Sequence, residues 1–137
     1  MKVSNRFRLL VLVAIGFVGL IVFAGIRCQH SETRILRLRM LDVGLVTKTY
    51  LDLRGAGQSP AIENVIAELT RKGFSLDNPI AKNPDLTSYR ISTAVAKAAS
   101  SPILSPSTIV VEETDNISDL NGYVIGLADG SISYQRK

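Results

Sequence analysis

The chain has 137 residues, of which 46% are apolar, so its length suits one domain plus a membrane anchor and is short for two domains. Residues 1–54 carry nine basic and three acidic side chains, a net charge of +6, whereas residues 55–137 carry seven and nine, a net charge of −2. The basic excess therefore lies beside the apolar N-terminal segment, where it can meet anionic lipid headgroups, and the acidic remainder argues against a nucleic-acid partner.

An apolar block without any charged residue runs from Leu9 to Ile26. As a helix it spans about 27 Å, close to the roughly 30 Å hydrocarbon core of a bilayer. We therefore predict a basic N-terminal tail at residues 1–8 and a transmembrane helix at residues 9–26. A cleaved signal peptide is the alternative, with a cleavage site at Val22-Phe-Ala24. The length of the block and Arg27 directly after it favour a retained anchor.

Residues 27–54 are predicted to continue the same helix outside the membrane, because no proline interrupts residues 1–59. Two sets of apolar residues recur at helical spacing. One set is Leu36, Met40, Val43 and Tyr50, and the other is Leu38, Leu41 and Leu45. The Gly55-Ala-Gly57 segment then ends the helix.

Residues 55–137 are predicted to form a small α+β head domain. Ser59 and Pro60 are expected to begin a helix over residues 60–72, which Gly73 closes. Strands are expected at residues 87–92, 108–113, 123–128 and 131–134, with an ambiguous alanine-rich stretch at 93–100. Asp129 and Gly130 join the last two strands, and this dipeptide favours a two-residue type I′ turn. The predicted fold class is therefore α+β: one long helix, a short second helix and a small antiparallel sheet ending in an Asp-Gly hairpin.

This order of elements resembles that of bacterial type IV pilin-like proteins, and in particular the pseudopilin-like proteins of type II secretion. The resemblance is carried by the segment from Met40 through Gly44 and Tyr50 to Gly55, and by the hairpin from Gly122 to Ile132. It implies a structural subunit of a secretion or pilus-type assembly in a bacterial inner membrane, with its head on the periplasmic side. The basic residues themselves flank the block on both sides and give no orientation.

The N-terminus departs from the pattern of processed pilins, which have a glycine at the cleavage site, then a phenylalanine, and a glutamate at the fifth mature position. If Phe7 is that phenylalanine, Arg6 stands in place of the glycine and Val11 in place of the glutamate. We therefore expect a pilin-like protein that is not processed and stays in the membrane, or one whose role in a fibre is degenerate.

Candidate catalytic residues are scarce. His30 is the one histidine, and it is expected to be an interfacial polar residue, since no second histidine exists for a metal pair or a hydrolytic dyad. Cys28 is the one cysteine, which is expected to fill the helix–headgroup boundary or, alternatively, to form an intermolecular disulfide. We predict that the chain is not an enzyme and takes no small-molecule substrate.

Oxygen-bearing side chains cluster near two turns of the C-terminal part, and calcium takes six to eight oxygen ligands. The weak calcium candidates are Glu112, Asp115, Asp119 and Asp129. Their spacing matches no EF-hand, so a solvated acidic loop is the favoured interpretation, and no cofactor is expected.

Small residues in the apolar block allow close approach of a neighbouring transmembrane helix, although they are equally consistent with ordinary transmembrane composition. These helix-packing candidates are Ala14, Gly16, Gly19 and Gly25. The sequence thus predicts a membrane-anchored subunit whose partners are the lipid bilayer and other pilin-like subunits or further copies of itself. The alternative is an anchored accessory subunit of an unrelated membrane complex.

Overall fold

The computed structural model describes residues 5–58, 60–76, 81–83, 85–97, 103–117 and 121–136. The described elements, in chain order, are α1 (Asn5–Gly55), α2 (Ile62–Arg71), β1 (Tyr89–Ile91), α3 (Thr93–Lys97), β2 (Ile109–Glu113), β3 (Gly122–Leu127) and β4 (Ile132–Arg136). The predicted α+β class is confirmed, with a long helix, a short helix and a four-stranded antiparallel sheet. The chain forms two compact units, Met1–Ile35 and Leu36–Lys137.

The first unit consists of the N-terminal part of α1. Its large apolar side chains between Val11 and Ile26 are exposed, from 42% at Val11 to 70% at Leu20. Leaving such a side chain in water instead of burying it costs about 1.5–3 kcal/mol. α1 is the one described helix that is long and apolar enough to cross a membrane, near the N-terminus, and this is consistent with the predicted anchor.

The second unit has a core formed by one face of residues 36–55 of α1, by α2 and by the sheet. Val43, Val46 and Tyr50, at i, i+3 and i+7, are buried there. The other predicted apolar set is buried less completely, because Leu41 is 64% exposed while Leu45 is partly buried against the core. The core therefore covers mainly the face that carries Val43, Val46 and Tyr50. The head was predicted to begin at residue 55, whereas the second compact unit begins at Leu36. The difference arises because residues of α1 form part of the core of this unit.

α2 places Val65 and Leu69 in the same core. The predicted start at Pro60 is corrected to Ile62, with Ala61 as the N-cap and no side-chain cap hydrogen bond. Ser59, the predicted cap, lies outside the described residues. The helix ends as expected: Gly73 has a φ of 83°, and the N–H of Phe74 donates to the carbonyl of Leu69 at 3.0 Å. This pair of features is the Schellman arrangement, which satisfies the last helical carbonyls.

The sheet is an antiparallel meander in the order β1-β2-β3-β4. Arg90 is opposite Glu112 in the β1–β2 pair, and Glu112 is opposite Ile125 in the β2–β3 pair. The register shifts between Ile109 and Val111, which marks a bulge in β2. The ambiguous segment after β1 is helical, as α3, for five residues.

The β3–β4 hairpin is present, but the predicted type I′ turn is wrong. Within the described residues Asn121, with a φ of 55°, is the one non-glycine residue with a positive φ, so Asp129 does not have the conformation that type I′ requires. Gly130 alone at this turn has a positive φ, 85°. Its N–H donates to the carbonyl of Leu127, and the N–H of Leu127 donates to the carbonyl of Ser131. These bonds define a three-residue loop with the glycine in the left-handed position.

A glycine also permits the close approach of α1 to the sheet. A Cβ atom added to Gly126 of β3 would lie 1.8 Å from Oγ1 of Thr47 in α1, well inside van der Waals contact. The lack of a side chain at Gly126 therefore allows Thr47 to pack directly on the backbone of β3.

Candidate functional site

A buried ion pair joins α1 to the sheet. Arg39, one helical turn before the core residue Val43, and Glu113, the last residue of β2, have 2% and 0% of their side chains exposed. Nε of Arg39 donates to one carboxylate oxygen of Glu113 at 2.8 Å, and Nη2 donates to the other, so the contact is bidentate. Such fork-to-fork pairs combine charge with a fixed geometry.

Backbone groups of β3 extend this cluster, although Nη1 of Arg39 stays buried with no hydrogen-bond partner within the described part of the chain. Nη2 of Arg39 also donates to the carbonyl of Gly122 at 2.9 Å, and the N–H of Val124 donates to Glu113 at 2.7 Å. Burial by itself would lower the pKa of Arg39, but the hydrogen bonds and the negative charge of Glu113 outweigh burial and raise it. Arg39 therefore stays charged inside the protein, and its contacts with Glu113 and Gly122 tie α1, β2 and β3 together.

A second buried polar contact lies close to the first on the helix. Asp42 follows Arg39 by three residues, and the hydroxyl of Tyr89 in β1 donates to its carboxylate at 3.1 Å. Burial, followed by the charge of Asp42 and this hydrogen bond, raises the pKa of Tyr89 far above its ordinary value. Tyr89 therefore stays neutral at physiological pH, and Asp42 fixes β1 against the same helix.

A polar cavity of about 240 Å³ opens beside the Arg39–Glu113 pair. Its lining includes Arg39, Lys82, Arg90, Glu112, Asp115 and Tyr123. Four of the six charged side chains here form two ion pairs: Arg90 donates to Glu112 at 2.9 Å, just as Arg39 donates to Glu113. This pairing of two basic with two acidic side chains fits a structural role for them.

The four calcium candidates are not grouped by the described structure. Glu112 and Asp115 lie at the end of β2 beside this cavity, and Glu112 is engaged by Arg90. Asp129 lies in the hairpin at the opposite end of the β2–β3 pair, and Asp119 lies outside the described residues. No group of three or more His, Cys, Asp or Glu side chains in the described chain is placed to hold a metal. Calcium binding, the less favoured interpretation of these four residues, stays untested.

Asp129 has a local role in the hairpin. One of its carboxylate oxygens accepts hydrogen bonds from the backbone N–H of Ser131 at 2.8 Å and from the Ser131 hydroxyl at 2.6 Å. These bonds from Ser131 lower the pKa of Asp129. The carboxylate thus stabilises the turn, a common use of aspartate in loops.

The helix-packing candidates lie on an uncovered part of α1. Ala14 is exposed, and a Cβ added at Gly16, Gly19 or Gly25 would meet no atom within 4 Å. The backbone at these glycines is therefore accessible to another helix or to lipid. Cys28 is also exposed on α1, whereas the side chain of His30 falls outside the described part of the chain.

The Arg39–Glu113 pair was not predicted from the sequence, although one signal for it is present there. Glu113 follows Val111 by two residues, and alternate residues of a strand face the same side of a sheet. An acid at such an inward position needs a buried partner, and Arg39 lies on the helix face that carries Val43 and Val46. The pairing itself links residues 74 positions apart and cannot be obtained from local patterns.

Comparison of the chain with protein-family models, with curated proteins and with solved structures finds no match in any of the three.

Proposed function

We propose that this protein is a single-pass membrane subunit that acts by packing α1 in the bilayer and by contacts of its α+β unit, with no catalytic activity. The observation that carries the proposal is the exposure of every large apolar side chain from Val11 to Ile26 on one helix. Such a surface is stable only when another apolar phase, lipid or protein, covers it.

The specific form of the proposal is a pilin-like or pseudopilin-like subunit of a secretion or pilus-type assembly in a bacterial inner membrane, with its head in the periplasm. Support comes from the order of a long helix, a short helix and an antiparallel sheet that ends in the Asp129-Gly130 hairpin. The uncovered glycines of α1 supply the close helix approach that assembly in lipid requires.

The first experiment tests anchoring. Membranes from cells that produce the full chain are washed with alkaline carbonate, and the protein is followed in the pellet and in the supernatant. A retained anchor keeps it in the pellet with residues 9–26 still present by mass spectrometry. Release into the supernatant, or a mature chain lacking these residues, contradicts the proposal.

The second experiment tests the specific form. The full chain is purified in mild detergent, and its partners are identified by mass spectrometry, beside a Gly16→Leu/Gly19→Leu variant. Pilus or secretion components that disappear with the variant support the pilin-like role. Partners from an unrelated complex favour the alternative, an accessory subunit of that complex. A mature N-terminus at Phe7 would overturn the expectation that the chain is not processed.

A further inference from the structure

Two arginines project from one face of α1 just beyond its apolar segment. Arg27 and Arg34 are both exposed, and their spacing of seven residues places them about 10 Å apart along the helix on nearly the same side. Glu32, the acidic residue of this segment, is five residues from Arg27 and thus about 140° around the helix. The two positive charges therefore share a face from which Glu32 is turned away.

Arg27 is held against the end of the apolar segment. Its guanidinium carbon lies 5.0 Å from the ring centroid of Phe23, one helical turn back, in a cation–π contact. This contact keeps the charge beside the last apolar residues, Phe23 to Ile26, instead of extending it away from them. In an anchored chain this level is the boundary between hydrocarbon and headgroups, where aromatic and basic residues are enriched.

We propose that Arg27 and Arg34 form a binding surface for the phosphate groups of anionic phospholipids at the end of the membrane span. The inference rests on the proposed anchoring and adds to it the class of lipid that the anchor prefers. A guanidinium presents a planar fork of donors that matches a phosphate, and its weak hydration makes it suited to an interface. The two arginines directly follow the apolar segment, so the phosphates nearest to them are those of the lipids around that segment.

The single cysteine of the chain provides a probe at this level, because Cys28 is exposed and next to Arg27. The full chain is labelled there with a donor fluorophore and inserted into phosphatidylcholine vesicles. These vesicles contain a trace of acceptor-labelled phosphatidylglycerol or, in parallel, of acceptor-labelled phosphatidylcholine. A basic residue at a membrane surface attracts anionic lipid by roughly fivefold, so energy transfer to phosphatidylglycerol is expected to show enrichment of at least that size. The excess is expected to fall when the salt concentration is raised, because surface charges are screened.

Three variants test whether the enrichment of phosphatidylglycerol depends on Arg27 and Arg34. Arg27→Gln/Arg34→Gln is expected to reduce transfer to phosphatidylglycerol to the level seen with phosphatidylcholine. Arg27→Lys/Arg34→Lys retains the charge but not the fork and is expected to give an intermediate enrichment. Arg136→Gln, which removes an exposed arginine at the end of β4, is the matched control and is expected to leave the enrichment unchanged.

The outcomes separate the two proposals. A chain that inserts into the vesicles but transfers equally to both acceptors, or whose enrichment survives Arg27→Gln/Arg34→Gln, overturns the lipid preference and leaves the anchor intact. Displacement of phosphatidylglycerol by millimolar inorganic phosphate would assign the surface to free phosphate and also overturns the inference. A chain that does not associate with neutral vesicles contradicts the anchoring itself.

Discussion

At the scale of single residues, the most consequential feature is the charge buried between α1 and the sheet. Removing two ions from water costs several kcal/mol for each, and their attraction offsets this cost only when the remaining hydrogen bonds are also made. Here Gly122 and Val124 of β3 supply some of these bonds to Arg39 and Glu113, whereas Nη1 of Arg39 makes none among the described residues. The main effect of the pair on stability is therefore expected to be the loss in free energy of unfolding when one partner is removed.

Arg39→Met leaves the carboxylate of Glu113 buried without its cation, and we expect it to lower the free energy of unfolding by about 3–5 kcal/mol. Denaturant unfolding of the full chain in mild detergent, followed by circular dichroism, measures the loss. The control is Arg90→Gln, since Arg90 is 60% exposed in its ion pair with Glu112 and its removal should cost about 1 kcal/mol or less. Equal losses from the two variants would contradict a special role for the buried pair.

Tyr89 is expected to make the stability of the folded protein depend on pH in the alkaline range. Its pKa in the folded chain is raised, so above about pH 10 the unfolded chain releases the phenolic proton while the folded chain retains it. The free energy of unfolding should therefore fall as pH rises through this range, by up to about 1.4 kcal/mol per pH unit from this group. Denaturant unfolding at pH 9, 10 and 11 tests this, and Tyr89→Phe should show a smaller decrease. Parallel curves for the two proteins would refute the assignment.

At the scale of elements, the periodicity of apolar residues predicts the helices and strands well, because each is formed by contiguous residues. The long helix, α2, the strands and the hairpin were all predicted within a few residues of their observed bounds. The start of α2 was wrong because Ser59-Pro60 is a strong helix-start signal, yet the helix begins two residues later at Ile62. The choice between the apolar faces of α1 could not be predicted, because it depends on which face meets the sheet.

The hairpin shows the same limit in its turn. Asp-Gly favours type I′, but the observed loop has three residues, with Asp129 hydrogen-bonded to Ser131 and only Gly130 at positive φ.

We expect Gly130→Ala to destabilise the protein by about 1 kcal/mol, since an alanine is strained at that φ. Gly130→Asn should recover much of this loss, because asparagine tolerates the left-handed conformation. Thermal unfolding of the three proteins measures the order, and a variant with alanine as stable as the parent would contradict it.

At the scale of the whole molecule, one helix, α1, contributes residues to both compact units. The compact unit begins at Leu36, and its core includes Val43, Val46 and Tyr50 of α1. A boundary drawn at the helix end, Gly55, separates these side chains from the sheet they cover.

Two truncations test where the folding unit begins. A fragment of residues 36–137 retains the helix face and both buried polar contacts, and we expect it to be soluble with a cooperative thermal transition. A fragment of residues 56–137 lacks Arg39, which leaves Glu113 buried without its cation, and we expect it to be unfolded by circular dichroism. Cooperative unfolding of the shorter fragment would place the boundary at residue 55 after all.

The separation of Arg39 from Glu113 also sets the order of events while the chain is being made. A ribosome that adds about 5–20 residues per second needs roughly 4–15 s to reach Glu113 after Arg39, 74 residues earlier. Throughout that interval the buried face of α1 has no sheet to cover it, although the apolar segment before it has already been made. If the chain is anchored as proposed, delivery to the membrane can precede folding, and a chaperone has several seconds in which to shield Val43, Val46 and Tyr50.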